Sequence, residues 1–247
     1  MLAASLTSLS LAAAQHLNYT IFIIISLYFK PKEERKSFAV GHFAFGYILS
    51  RLTAQATKTK LDIPLILALS VLPDIDILLP FLEHRGPTHS IITTTIIFIP
   101  IFVVWHRNAL PYFVALIQHS LVGDIIAGGK TQLLWPLTLQ TYGLEISINS
   151  MANVSLEWAA FLASVVILSK TGEIKTLLTP RNSNLILFIP ITTVLLPTIV
   201  AYPLNVPLAL APPHILFLAL FSVSILIDIK QFFPWLLRRQ KRYCRKN

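Results

Sequence analysis

Charge is scarce in this sequence: only 13% of its 247 residues are Asp, Glu, Lys or Arg, about half the ~25% of an ordinary soluble domain. A soluble globule is thereby excluded. Cysteine occurs once, at Cys244 in a basic tail, so a disulfide framework, a cysteine-rich zinc site and a CxxC redox pair are all ruled out. The alternating ten-residue segments of a β-barrel are missing too, as are internal repeats and low-complexity tracts. Acidic residues number 11 against 20 basic ones, a net charge of +9. The basic residues fall in loops and at the C-terminus, which points to anionic lipid headgroups as the partner and away from nucleic acid.

Apolar length is what the chain has in abundance, with 55% hydrophobic residues. Hydrophobic segments read at about 11–29, 38–50, 63–82, 89–105, 109–127, 154–169, 185–204 and 208–228. Several reach the roughly 17–25 residues needed to cross a bilayer. The fold class is therefore all-α: a polytopic helical protein of the cytoplasmic membrane, with about seven or eight transmembrane segments. The first segment has no basic n-region and no small-residue cleavage site, and reads as a retained anchor. Pro73, Pro80, Pro100, Pro190 and Pro197 punctuate the others. Such breaks are tolerated only where neighbours or water satisfy the freed backbone groups. The 128–153 stretch, with Trp135, Pro136 and Tyr142, reads as a loop at the headgroup level.

Topology follows from the basic residues. With eight crossings, the tail and the loops after segments two, four and six hold 14 Lys and Arg, and the opposite side holds 6. The richer side faces the cytoplasm, with both termini, and the His84–Ser90 loop lies outside. A re-entrant 38–50 segment gives 18 against 2 but strands His42 opposite the other polar motifs, so the crossing version is adopted.

Ionisable groups within membrane segments cost ~2.5–3.5 kcal/mol each on insertion scales and mark function by default. Here four motifs hold them between residues 42 and 124: Gly41-His42-Phe43-Ala44-Phe45-Gly46, Pro73-Asp74-Ile75-Asp76, His84-Arg85-Gly86-Pro87-Thr88-His89-Ser90, and His119-Ser120-Leu121-Val122-Gly123-Asp124. Asp74 and Asp76 would point about 200° apart on an α-helix, whereas an extended or turning backbone after Pro73 brings both carboxylates to one side. His84 and His89 flank Gly-Pro, so the loop curls and aims both imidazoles at one point, with Thr88 expected as the N-cap of the helix that follows. Gly46 leaves room beside His42 for a neighbour or an ion. All four motifs then reach the same membrane face. Imidazole and carboxylate together suit zinc, manganese or iron, and seven candidate ligands exceed the needs of one catalytic zinc. Either two ions share a bridging aspartate or some groups act from the outer sphere.

In this order the motifs resemble those of the LexA-regulated, membrane-bound metal-dependent hydrolase family. The resemblance rests on His42 with Gly46, Pro73 to Asp76, the specific string His84 to Ser90, His119 with Asp124, and Trp135-Pro136. It implies one or two divalent ions, Zn or Mn, held by His42, Asp74, Asp76, His89, His119 and Asp124. Catalytic roles go to Asp76, His84 and Arg85. It covers about 38–140, which leaves 1–37 as an extra anchor helix and 141–247 as C-terminal transmembrane helices with a basic tail. One departure stands out: the family spaces its last pair as His-x-x-x-Asp, whereas His119 and Asp124 are five apart, about 140° round an α-helix. A π-bulge restores a shared face, and an early helix end at Gly123 is the alternative.

The functional expectation is a metal-dependent hydrolase acting on an ester or phosphoester, with a lipid or lipid-linked substrate, by metal-activated water. The alternatives are a cation or proton carrier built on the Asp/His chain, although no inverted repeat is present, and a non-catalytic stress-related membrane protein with a structural metal. Arg85 reads as a phosphate ligand or as an interfacial snorkelling residue. Glu157 reads as a helix-end carboxylate at an interface, Asp228 as a partner of Lys230, and Lys130 as a loop lysine. His16, His106 and His214 receive no role.

Overall fold

The computed structural model describes residues 39–243 except 80, 128, 145, 148 and 201–205. The anchor expected over 1–37 and Cys244 lie outside the described residues. Among those described, the fold is helical, and the β pairing consists of a bridge between Thr131 and Tyr142. Four helical stretches are long and apolar enough to cross a membrane: Ile91–Asp124, Met151–Lys170, Asn182–Val200 and Leu208–Lys230. Several expected segments take other forms. Segment 63–82 is not one helix but a short α-helix, Ile63–Leu69, followed by a 3-10 helix, Leu72–Leu78. Pro73 stands in the first turn of that 3-10 helix, where its missing N–H costs nothing. Pro100, in contrast, sits within the α-helix Ile91–Trp105.

The helices that position the polar motifs are labelled α1 (Ala39–Thr57), α2 (Ile63–Leu69), α3 (Ile91–Trp105), α4 (Leu110–Gln118), α5 (Met151–Lys170) and α6 (Ala211–Tyr243). Their directions follow from a few contacts. The Gly41 N–H at the start of α1 donates to Glu157 Oε2 (2.8 Å) early in α5. Tyr47 donates to Glu173 Oε2 (2.5 Å) and Arg51 pairs with the same carboxylate just past the end of α5. Helices α1 and α5 therefore run parallel. Helix α4 runs against α1, because Ser50 Oγ donates to the Pro111 carbonyl (2.8 Å) and Gln118 Nε2 to the His42 carbonyl (3.2 Å). The Asp62 N–H, at the N-cap of α2, donates to Tyr112 Oη (3.1 Å), so α2 points the same way as α4. The rings of Phe98 and Phe113 pack tilted, 4.8 Å apart; fifteen residues along one straight helix would separate them by about 22 Å. Stretch Ile91–Asp124 thus folds back at His106–Ala109. The two segments expected at 89–105 and 109–127 are the legs of this hairpin. Helix α6 starts near Trp158, whose Nε1 donates to the Ala209 carbonyl (3.0 Å), and passes Arg181, whose N–H donates to Asp228 Oδ1 (2.6 Å). It runs with α5.

One end of the bundle therefore gathers the start of α1, the end of α2, the start of α3 and the end of α4. Below it lies an apolar core in which Phe43 packs against Phe217 and Phe221 at ring distances of 5.0 and 5.3 Å. In lipid such packing acts through close van der Waals fit, and small residues let backbones approach. The buried Ala39, Gly41, Ala44 and Gly46 of α1 supply that approach.

Two assignments from the sequence change here. Glu157 is buried rather than interfacial, and its carboxylate accepts one of the unpaired N–H groups at the start of α1. Asp228 accepts from Arg181 N–H and Asn184 Nδ2 (3.3 Å), not from Lys230.

Candidate metal centre

The two aspartates of the Pro73-Asp74-Ile75-Asp76 motif stand on the 3-10 helix Leu72–Leu78 and are both fully buried. Its tighter winding places them on either side of His89. Asp74 Oδ1 lies 3.4 Å from His89 Nε2, and Asp76 Oδ2 lies 3.3 Å from His89 Nδ1. His89 itself belongs to a 3-10 turn, Pro87–His89, ahead of α3. The N-cap of α3 is Ser90 rather than Thr88: Ser90 Oγ accepts from the N–H groups of Ile92 (3.1 Å) and Thr93 (3.3 Å) and donates to the Trp135 carbonyl (2.6 Å). Thr88 is thereby free to donate to Asp76 Oδ2 (2.8 Å).

His119 and Asp124 share a face because residues His119–Asp124 wind as a π-helix, in which one extra residue per turn offsets the five-residue spacing. Gly123 is required in this turn, since a Cβ there would overlap the His42 ring. Gly46 meets a similar need: a Cβ would strike that of Ser70, whose carbonyl oxygen lies 2.8 Å from His119 Nδ1. Gln118 Nε2 ties the same region together through the His42 and Ala115 carbonyls. Ser70 and Gln118 are not singled out from the sequence; the signal for them is a polar residue within an apolar run.

Protons in the cluster can be placed from these contacts. A carbonyl oxygen only accepts, so His119 Nδ1 carries a hydrogen, and in the neutral ring Nε2 presents a lone pair. The neighbours of His89 Nδ1 are Asp76 Oδ2 and Thr88 Oγ1 (3.0 Å), and the Thr88 hydrogen is committed to Asp76. His89 Nδ1 is thus a donor, and in the neutral ring its Nε2 is bare as well. The two Nε2 atoms face each other at 3.2 Å. Asp74 Oδ1 lies 3.4 Å from each, and Asp124 Oδ2 lies 3.4 Å from His89 Nε2 and 3.7 Å from His119 Nε2.

Four polar atoms thus converge in a buried space, with N···O separations of 3.4 to 3.7 Å. A tetrahedral ion with bonds of about 2.0–2.2 Å would set its ligands roughly 3.3–3.6 Å apart. Of the five separations above, the three at 3.4 Å fall within that spacing and those at 3.2 and 3.7 Å lie 0.1 Å to either side. The donor set suits a transition-metal ion of the zinc or manganese kind.

Three overlapping triads have atoms within 4.8 Å of one another: His42, Asp74 and His119; Asp74, His84 and His89; and His89, His119 and Asp124. The His42 ring stacks on that of His119 at 3.9 Å and 15°, and its buried Nδ1 has no hydrogen-bond partner among the described residues. Asp76, expected as a ligand, belongs to none of the triads. Its Oδ1 faces His84 Nδ1 (2.9 Å), and its Oδ2 accepts from Thr88 and from the Arg85 N–H (3.3 Å). Arg85 holds a left-handed backbone, φ +63°, a conformation that costs a side-chain-bearing residue roughly 1–2 kcal/mol. This turn aims its N–H at Asp76, its carbonyl at the Gln132 N–H (3.0 Å), and its Nε toward Asp124 Oδ1 (3.7 Å).

The loop that contains Trp135 and Tyr142 is pinned to the same end. Ile91 N–H donates to the Leu133 carbonyl (3.0 Å), and Leu144 N–H to the Ile125 carbonyl (2.8 Å). No curated protein and no solved structure matches the chain. Residues 38–206 match the family model described as YdjM inner membrane protein. That stretch runs past the expected limit at 140 and takes in every polar motif described above, and the chain belongs to this family of membrane proteins.

Proposed function

We propose that the chain is a multi-pass protein of the cytoplasmic membrane, with seven or eight crossings, and that it is a metal-dependent hydrolase cleaving a phosphoester or ester at the membrane interface. The observation that carries this reading is the Asp76–His84 pair beside the four-donor cluster. An ion held by Asp74, His89, His119 and Asp124 would lower the pKa of water and polarise the oxygen of the scissile group. Asp76 Oδ1 takes the Nδ1 hydrogen of His84, so the bare atom of that ring is Nε2, which is buried and has no hydrogen-bond partner among the described residues. A histidine oriented in this way accepts a proton from water and delivers it to the leaving oxygen. Arg85 brings positive charge beside Asp124 and steadies an anionic phosphoryl group. His42 stands in a grouping with Asp74, so these two would begin the ligand set of a second ion with Asp74 as the bridge, while the one bare nitrogen of His119 serves a single ion.

The tetrahedral spacing of four protein donors also favours a second reading, a closed site in which the metal is structural. Hydrolysis separates the two. Detergent-solubilised protein is expected to cleave a fluorogenic phosphodiester or bilayer phospholipid, with activity abolished by chelator and by His42→Ala or Asp76→Ala. A metal-loaded protein that cleaves nothing across a broad ester panel contradicts the hydrolase reading. Movement of divalent ions or protons across sealed vesicles by that protein would establish a carrier.

A further inference from the structure

We propose that the metal centre opens at the non-cytoplasmic face of the membrane and takes its substrate, a phosphate-bearing lipid, from the leaflet on that side. The hydrolytic part rests on the reading above; the sidedness stands on geometry and charge alone. The contacts that set helix directions sort the basic residues between the two ends of the bundle. Opposite the metal centre, the end of α1 and its following turn hold Arg51, Lys58 and Lys60. The hairpin turn between α3 and α4 lies at that same end, through Pro111 with Ser50 and Tyr112 with Asp62, and holds Arg107. The end of α5 and the segment after it add Lys170, Lys175 and Arg181. Through Asp228 and Arg181 the late part of α6 is also placed there, and its sequence adds Lys230, Arg238, Arg239, Lys241 and Arg242.

At the metal end, the described residues contribute Arg85 and Lys130. The contrast is twelve against two. The four basic residues of 30–36 lie outside the described residues; even assigned to the metal end, they leave twelve against six. Basic residues near helix ends are retained in the cytoplasm, so the metal end faces outward.

Depth then narrows the substrate. Helix α5 has 20 residues, about 30 Å, the thickness of the hydrocarbon layer. Glu157, which holds Gly41 beside His42, is six residues after its first residue Met151, about 9 Å inward. A bond cleaved there must be brought below the surface, as the ester linkages of a lipid are. Around the same end, Phe81, Leu137, Leu139 and Met151 are each more than 70% exposed, apolar side chains placed where acyl chains would pass. Arg85 and Lys130, the two described cations of this end, supply the charge that a lipid phosphate requires.

Two readouts on the full-length protein test this separately. In a Cys244→Ser background, Gln140→Cys marks the metal end and Asn182→Cys the basic end; both positions are exposed. With a membrane-impermeant maleimide on intact spheroplasts, Gln140→Cys is expected to label and Asn182→Cys to label only after permeabilisation. The reverse pattern overturns the sidedness. In proteoliposomes whose orientation has been read by the same labels, a fluorescent phosphatidylglycerol confined to one leaflet is expected to be cleaved, with metal present, at least tenfold faster from the leaflet at the Gln140 end. A water-soluble phosphodiester in the bulk is the comparison. Cleavage of the soluble ester alone overturns the lipid assignment, equal cleavage from both leaflets overturns the leaflet assignment, and no cleavage of either overturns the hydrolase reading while leaving the labelling result in force.

Discussion

His89 Nε2 and His119 Nε2 stand 3.2 Å apart, each with its proton-bearing Nδ1 turned away, toward Asp76 and the Ser70 carbonyl. With both rings neutral, two lone pairs at that distance, beside Asp74 and Asp124, repel one another until a cation, metal ion or proton, stands among them. The buried cluster is therefore an incomplete electrostatic unit, and the following outcomes depend on its completion.

The two neighbouring aspartates should behave differently. Asp74→Asn removes a charged donor from the tetrahedral set and is expected to strip the metal. Asp76→Asn leaves the four donors in place and loosens the orientation of His84 and His89. It is expected to retain metal while hydrolysis falls on the order of 10–100-fold, the usual cost of an outer-sphere loss. Metal content and turnover measured on the same preparations check this.

Gly123→Ala should drive a methyl group into the His42 ring. Overpacking of this kind costs about 1–3 kcal/mol, and here the ring that must move stacks on His119. The expected outcome is a lower unfolding temperature in detergent, together with weaker metal retention. An unchanged protein would mean that His42 is held less closely than the contact indicates.

Gly46→Ala offers a test by rescue. The Cβ it adds would meet the Cβ of Ser70, so Gly46→Ala alone should destabilise, and Ser70→Gly in the same chain should restore most of the loss. Non-additivity of the pair in thermal unfolding measures the coupling.

Glu157→Leu should leave the Gly41 N–H buried without an acceptor, at a cost of about 1–3 kcal/mol, whereas Glu157→Gln keeps an acceptor oxygen and is expected to lie close to the parent. Thermal unfolding of both variants separates loss of the hydrogen bond from loss of charge.

Much of the centre is legible in the sequence because its side chains come from short motifs with unusual polar content in apolar surroundings. The offset spacing of His119 and Asp124 leaves two outcomes, a π-turn or an early helix end at Gly123, and the structure has the π-turn. Residues such as Ser70 and Gln118 are harder to read, because they act through backbone carbonyls or one amide reaching a different helix. Glu157 stands out in the sequence but its place does not, for a related reason: its partner is a backbone N–H 116 residues away. The shortness of α2 was hidden as well, since an apolar run does not tell α from 3-10 winding.

Metal content of the purified protein, beside that of His89→Ala and His119→Ala, tests the account most directly. About one or two transition-metal ions per chain are expected in the parent and none in either variant. A folded parent free of metal, with an imidazolium at His89 or His119 detected by NMR in place of the ion, would contradict it.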